Sequence, residues 1–119
     1  MLYLCIMFGF NKKTETSEAP KKVSFSELIK GPRPVVVDFY ADWCGPCRMM
    51  PPILKEVKKA LGEEVEIIKI DVDRNPQLSQ TMKIQSIPTI MIFKNGQSVW
   101  RQSGVPSAAA LTAAVKKFL

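Results

Sequence analysis

The sequence predicts an α/β domain in which a central mixed sheet of four to five strands carries helices on both faces. Three observations predict it. Apolar runs rich in β-branched residues alternate along the chain with segments whose apolar residues recur at helical spacing, an order that makes parallel strand pairs. Two of those runs are joined by Asn95-Gly96, the strongest short hairpin signal, which adds an antiparallel pair. The chain has 119 residues, 46% hydrophobic and 24% charged, which is room for one compact domain with a short tail and an ordinary globular mixture.

The elements follow in order. Ser24 and Glu27 have the spacing of a capping box, which predicts a short helix from Phe25 to Lys30, stopped by Gly31 and Pro32. Val35 to Tyr40 is a continuous apolar run, the pattern of a strand buried on both faces, with Asp38 out of place inside it. From Pro46 to Leu61 the residues Met50, Ile53, Leu54, Val57 and Leu61 share a helical face, with Lys55, Glu56, Lys58 and Lys59 opposite and Gly62 as the stop. Pro46 suits a first turn, whereas Pro52 falls inside the helix and predicts a kink. Val65 to Val72 is a strand, and Asn75-Pro76 opens a shorter helix to Lys83. Thr89 to Phe93 and Gln97 to Gln102 flank the Asn-Gly turn, and Ser107 caps a last helix whose Leu111, Val115 and Phe118 lie on one face.

The amino-terminal segment reads differently. Leu2 to Phe10 is apolar apart from Gly9, and Asn11 to Lys22 is a polar, charged linker. The apolar part is far short of the roughly 20 residues that span a bilayer as a helix. Its positive charges, Lys12 and Lys13, follow the apolar part, the reverse of a secretory signal. The expectation is a loosely ordered tail over residues 1–20, a domain over 21–119, and Cys5 as a bystander, with translation from Met7 or an export or anchoring role as alternatives.

Composition excludes several chemistries. With no histidine there is no Ser/His/Asp or Cys/His pair and no mixed Cys and His zinc site, and three thiols cannot fill a four-thiolate site in one chain. Neither a metal nor another cofactor is expected. Three cysteines are an odd number and too few for a disulfide scaffold, so the thiols matter as reagents if they matter at all. The net charge of +6 is scattered, without a basic run or an aromatic-plus-basic RNA-recognition pattern, and nucleic acid is not the expected partner.

Trp43-Cys44-Gly45-Pro46-Cys47 lies where the buried strand gives way to the helix. A lone C-x-x-C could be half a metal site or chance. Here the other half-site is missing while the strand and helix are present, a combination already recognised as a thioredoxin-like redox motif. Cys44 precedes the first helical turn, where unpaired N–H groups and the helix dipole favour a thiolate. A dipole contribution of about 0.3 to 1 kcal/mol is less than one pKa unit, so a second donor is needed, and the Cys47 S–H is the expected one. In this reading exposed Cys44 attacks a partner disulfide, buried Cys47 resolves the mixed disulfide, and Gly45 and Pro46 set the turn between them.

The run from Asp38 to Met49, with Pro52-Ile53-Leu54, Ile87-Pro88-Thr89 and Phe93-Lys94-Asn95-Gly96, resembles the thioredoxin family over about Val23 to Leu119. The resemblance implies the thioredoxin fold and adds roles. Asp38 would be the buried carboxylate that takes the proton from Cys47, and Lys69 the lysine paired with it. Pro88 would be a cis-proline facing the dithiol, Ile87 the backbone that docks an extended substrate segment, and Trp43 and Gly104 parts of the docking surface. Pro52 would be the family's helix kink, and Met49, Met50 and Trp100 are read as packing. There are departures: Tyr40 stands where Trp is common, Ser86 where Gly is frequent, and the first strand has no clear counterpart unless the stretch Lys21 to Val23 supplies it.

The resemblance implies an enzyme, a protein-disulfide reductase and electron carrier of the cytoplasm. Its partners would be disulfide-containing proteins and a thioredoxin reductase; it would be monomeric and would not span a membrane. The alternatives are an extracytoplasmic or membrane-attached oxidoreductase, suggested by the tail, a non-catalytic binding module on the same fold, and a metal-bridged dimer. Gly-Pro between the cysteines favours a reductant over the oxidising relatives, and the intact Cys44, Cys47, Asp38 and Pro88 argue against a module without turnover.

Overall fold

The computed structural model describes residues 2–3, 5–7 and 22–119. The chain order is β1 (Leu2–Tyr3), β2 (Cys5–Met7), β3 (Lys22–Val23), α1 (Phe25–Ile29), β4 (Val35–Tyr40), α2 (Met50–Leu61), β5 (Glu66–Asp71), α3 (Pro76–Thr81), β6 (Thr89–Lys94), β7 (Gln97–Ser103) and α4 (Ala108–Lys116). The main sheet has five strands in the order β2-β5-β4-β6-β7. β4 and β5 are parallel, and β2, β6 and β7 join antiparallel. This is the expected α/β fold.

Alternation along β4 sorts its side chains between two cores. Val36 faces Met50, Leu54, Val57 and Leu61 of α2 and Leu111, Ala114 and Val115 of α4, with Ile67, Ile90 and Ile92 from neighbouring strands. Val35, Val37 and Phe39 face the other way, onto Phe25 and Ile29 of α1 and partly buried Leu78 of α3. Each β4 residue from Val35 to Phe39 is therefore covered on one face or the other, which is why the strand reads as one unbroken apolar run. Asp38 shares the α2 side with Val36.

The hairpin turn forms as expected: Asn95 and Gly96 have φ of 53° and 82°, the left-handed pair that a two-residue turn between twisted strands requires. Ser107 caps α4, its Oγ accepting the Ala110 N–H at 3.0 Å.

Several expectations are corrected. The strand that completes the sheet is Cys5–Met7, paired with β5 through Cys5↔Lys69, Ile6↔Ile68 and Met7↔Ile67. Lys22–Val23 instead pairs with Leu2–Tyr3 in a separate two-stranded sheet. The other residues of the segment expected to be a tail, 1, 4 and 8–20, lie outside the described residues. The capping box does not close, because the Ser24 hydroxyl pairs with that of Ser26 at 2.8 Å, and α1 ends at Ile29.

The long helix is divided. Pro46–Met49 is a 3₁₀ turn and the α-helix starts only at Met50, so Pro51 and Pro52 fall in its first turn. Neither proline has an N–H to close a bond to a preceding carbonyl, and the tighter turn before them takes up the break expected at Pro52. Lys58, placed on the solvent face by periodicity, is 7% exposed. Its stem lies along the core and its ammonium donates to the Val65 carbonyl at 2.7 Å.

Candidate active site

The dithiol sits between the end of β4 and the 3₁₀ turn. The chain leaves the sheet after Tyr40, the Cys44 N–H donates to the Ala41 carbonyl at 3.1 Å, and the Arg48 N–H donates to the Gly45 carbonyl at 3.0 Å. Gly45 and Pro46 have to be accommodated in this turn, and Pro46 starts the 3₁₀ segment with its fixed φ and no N–H to leave unpaired. Cys44 and Cys47 are joined by a disulfide with their Cα atoms 5.3 Å apart. The Cys47 N–H donates to Cys44 Sγ at 3.2 Å.

Burial does not separate the two cysteines as expected. Cys44 is 4% exposed and Cys47 is 6% exposed. Both pack with Ala41 in a small cluster edged by Tyr40, Val72 and Ile87, which closes over Cys44 as well. What distinguishes Cys44 is its surroundings: its sulfur receives the backbone N–H of Cys47 and lies 3.6 Å from the Ile87 carbonyl oxygen.

On β4, the strand that leads into the dithiol, Asp38 is completely buried and neither of its carboxylate oxygens has a hydrogen-bond partner among the described residues. Burial pushes its pKa from 3.8 up to about 7, against a smaller lowering by the charge of Lys69. Lys69 is the cross-strand neighbour of Asp38 in the parallel β4–β5 pair. Its ammonium, however, stands over the ring of Tyr40, 4.6 Å from the centroid. Lys69 therefore acts on Asp38 through its field, and the tyrosine found at a position where Trp is common holds the ammonium by a cation–π contact.

Across from the cysteines, the Ile87-Pro88 peptide bond is cis. Gly104 lies beside it: its N–H donates to the Pro88 carbonyl at 2.8 Å and its φ is +90°, a conformation that favours glycine. Thr89 Oγ1 donates to the Ser86 carbonyl at 2.6 Å. Trp43 is 70% exposed, its Nε1–H donating to Asp73 at 2.8 Å. Asp73 is itself held because its N–H and that of Arg74 donate to Asp71 Oδ1 at 2.8 and 3.3 Å. An open cavity of about 450 Å³ lies between α3 and the segment before Pro88, bordered by Trp43, Val72, Gln77, Gln80, Gln85 and Ile87.

The structure brings together Cys44, Cys47 and Ile87 directly, and ties the other singled-out residues to neighbouring elements. Gly45 and Pro46 shape the turn between the cysteines, Trp43 and Ile87 border one cavity, Gly104 bonds Pro88, and Asp38 faces Lys69 across the β4–β5 pair, two residues before the strand ends at Tyr40. Sequence reasoning missed Asp73, which orients Trp43 from 30 residues away. Its only local signal was the Asp-Val-Asp sequence at 71–73, which builds the turn.

Known proteins resemble this chain over most of its length. The thioredoxin family model matches residues 16–117. A thioredoxin-like protein of Synechocystis sp. is 46% identical over 97 residues, covering 81% of this chain and 92% of the relative. A thioredoxin of Mycobacterium bovis is 37% identical over 101 residues, covering 85% and 87%. The crystal structure of mitochondrial thioredoxin 3 from Saccharomyces cerevisiae in its oxidised form superposes with a TM-score of 0.71 at 36% identity, covering 78% of this chain and 86% of that one. Sequence, fold and redox-active cysteine pair agree, and the chain belongs to the thioredoxin family of thiol–disulfide oxidoreductases.

Proposed function

We propose that the protein is a general protein-disulfide reductase in which Cys44 is the nucleophile, Cys47 the resolving thiol and Asp38 the proton acceptor. The observation that carries the assignment is the N–H of Cys47 aimed at Cys44 Sγ at 3.2 Å. In the reduced protein a thiolate at Cys44 receives that donor, which favours its charged, nucleophilic form.

The cycle balances. The Cys44 thiolate attacks one sulfur of a partner disulfide; that S–S bond breaks, and the departing partner thiolate takes a proton from water. Asp38, in its carboxylate form, takes the proton of Cys47 as that sulfur attacks Cys44, the mixed disulfide breaks, and the partner leaves fully reduced. Two electrons pass from the dithiol to the partner, and the Cys44–Cys47 disulfide is the product state. The reverse sequence regenerates the dithiol, with Asp38 returning the proton.

Docking follows from the edge opposite the dithiol. An extended segment of the partner pairs with the backbone of Ile87, beside Pro88 and Gly104, and Trp43 covers its flank, a form of strand addition. The cavity beside Trp43 receives a neighbouring partner side chain, and its glutamine walls offer neutral donors and acceptors.

The electron donor is a thioredoxin reductase. A relative of Mycobacterium leprae 38% identical over 96 residues is named as a bifunctional thioredoxin reductase/thioredoxin, and this chain spans 21% of it. The working state is a cytoplasmic monomer; no helix among the described residues is long and apolar enough to cross a membrane.

Trapping tests the assignment. Cys47→Ser should accumulate partner proteins as mixed disulfides on Cys44, and Cys44→Ser should lose both trapping and turnover. Equal trapping by the two variants would overturn the roles.

A further inference from the structure

The segment Ile84 to Ile87 has no regular structure, yet the docking edge depends on its position. Its downstream end is fixed by Thr89 to the Ser86 carbonyl and by Gly104 to the Pro88 carbonyl. Its upstream end leaves α3 through Met82 and Lys83, and Lys83 takes a left-handed φ of 56°, uncommon for a residue with a side chain.

A helix ends with carbonyls that no N–H of its own can reach. At α3 the N–H groups of Met82, Lys83 and Ile84 turn back to the carbonyls of Leu78, Gln80 and Ser79. The carbonyls of Met82 and Lys83 lie beyond that return. Both are taken by one side chain from another part of the chain: Arg101 of β7 donates Nη1 to Met82 at 2.6 Å and Nη2 to Lys83 at 2.7 Å. The fork of the guanidinium suits two adjacent carbonyls, its charge complements the negative helix end, and its base is fixed because Arg101 pairs with Met91 in the sheet. Gly104 lies three residues further along the same stretch, so β7 and its continuation hold both ends of the segment.

We propose that Arg101 is a positioning residue for disulfide exchange with proteins. Its guanidinium locks the α3 exit turn and thereby sets where Gln85 to Ile87 present their backbone to an extended substrate. The inference rests on the reading of Ile87 as the docking backbone. Arg101 is not assigned contact with the reacting sulfurs, so a disulfide too small to dock should not sense its loss.

Steady-state reduction of insulin and of a small aryl disulfide by Arg101→Met, Arg101→Lys and Pro88→Ala tests this. Arg101→Met keeps the stem but loses both donors, and its KM for insulin should rise about three- to tenfold with kcat unchanged. The rate with the aryl disulfide should stay at the wild-type value, and Arg101→Lys, which supplies a single point donor, should restore part of the KM. An insulin KM unchanged in Arg101→Met, or an equal loss with both substrates, overturns the proposal. Pro88→Ala alters the edge itself: a raised insulin KM there, with none in Arg101→Met, rejects Arg101 alone. No insulin-specific change in either variant rejects the docking reading together with the inference. Should Arg101→Met not fold, Arg101→Lys carries the same test, with a smaller rise expected and an unchanged KM overturning it.

Discussion

The domain buries Lys58 toward the C-terminal end of α2 and Asp38 toward the dithiol end of β4, and it treats the two in opposite ways. On α2 Lys58 is buried but its ammonium donates to the Val65 carbonyl at 2.7 Å, and the charges of Arg33, Glu63 and Glu66 surround it. Burial lowers its pKa first, with Arg33 adding to the lowering and the two glutamates opposing it. At the dithiol end Asp38 is buried with both oxygens unpartnered, and its pKa reaches about 7. Desolvation disfavours the charge in both places; the difference is the partner. A buried group with a partner stabilises one structure, whereas one without a partner is free to change charge at neutral pH, which is what a proton acceptor for Cys47 requires.

The largest effect is expected at Asp38. Asp38→Asn should slow protein-disulfide turnover by about 10² to 10³ near pH 8, the range typical of losing a positioned base. Below pH 6 the wild-type acid is itself protonated, and the gap between variant and wild type should narrow. An equal loss at all pH values, followed by stopped-flow, would give Asp38 a structural role instead.

The same substitution has a stability consequence with a definite sign. The folded state holds on Asp38 a proton that the unfolded chain, at 3.8, has already released. Stability is therefore full below about pH 4 and falls as pH rises through about 7, by about 4 kcal/mol in all. Urea denaturation should find Asp38→Asn more stable than wild type by up to that amount at pH 9 and indistinguishable from it at pH 4.

Lys58→Met should show the opposite signature. Losing the bond to Val65 costs about 1 kcal/mol, read as a lower urea midpoint, and the new side chain fits the same apolar path. Turnover and its pH profile should not move. The smallest change expected is Lys69→Met. Its charge lowers the Asp38 pKa, so removing it should raise the midpoint of the pH–rate profile by less than about one unit. A fall in the midpoint would contradict the assigned sign.

Much of the molecule was legible in local pattern. Val35 to Tyr40 reads as a doubly covered strand and is one, Asn95-Gly96 makes its turn, and Cys44 with Cys47 lies between a strand and a helix as their spacing indicates. What escaped depends on contacts between distant residues. Cys5–Met7 is a strand because β5 offers a free edge, which periodicity within a short apolar stretch does not reveal. Lys58 is buried because a carbonyl seven residues on is within reach of its long stem. The lysine over Tyr40, the aspartate under Trp43 and the arginine at the end of α3 are separated from their partners by 18 residues or more. Propensity carries no information at that range, and only the resemblance to the family pointed toward Lys69.

In the proposed cycle, unpartnered Asp38 accepts the proton of Cys47 when the mixed disulfide resolves. The most direct test is to form that mixed disulfide between Cys44 and a partner and follow its decay against pH by rapid quench. The rate should rise with a midpoint near pH 7 in the wild-type protein and lack that midpoint in Asp38→Asn. The same midpoint in both proteins would contradict it.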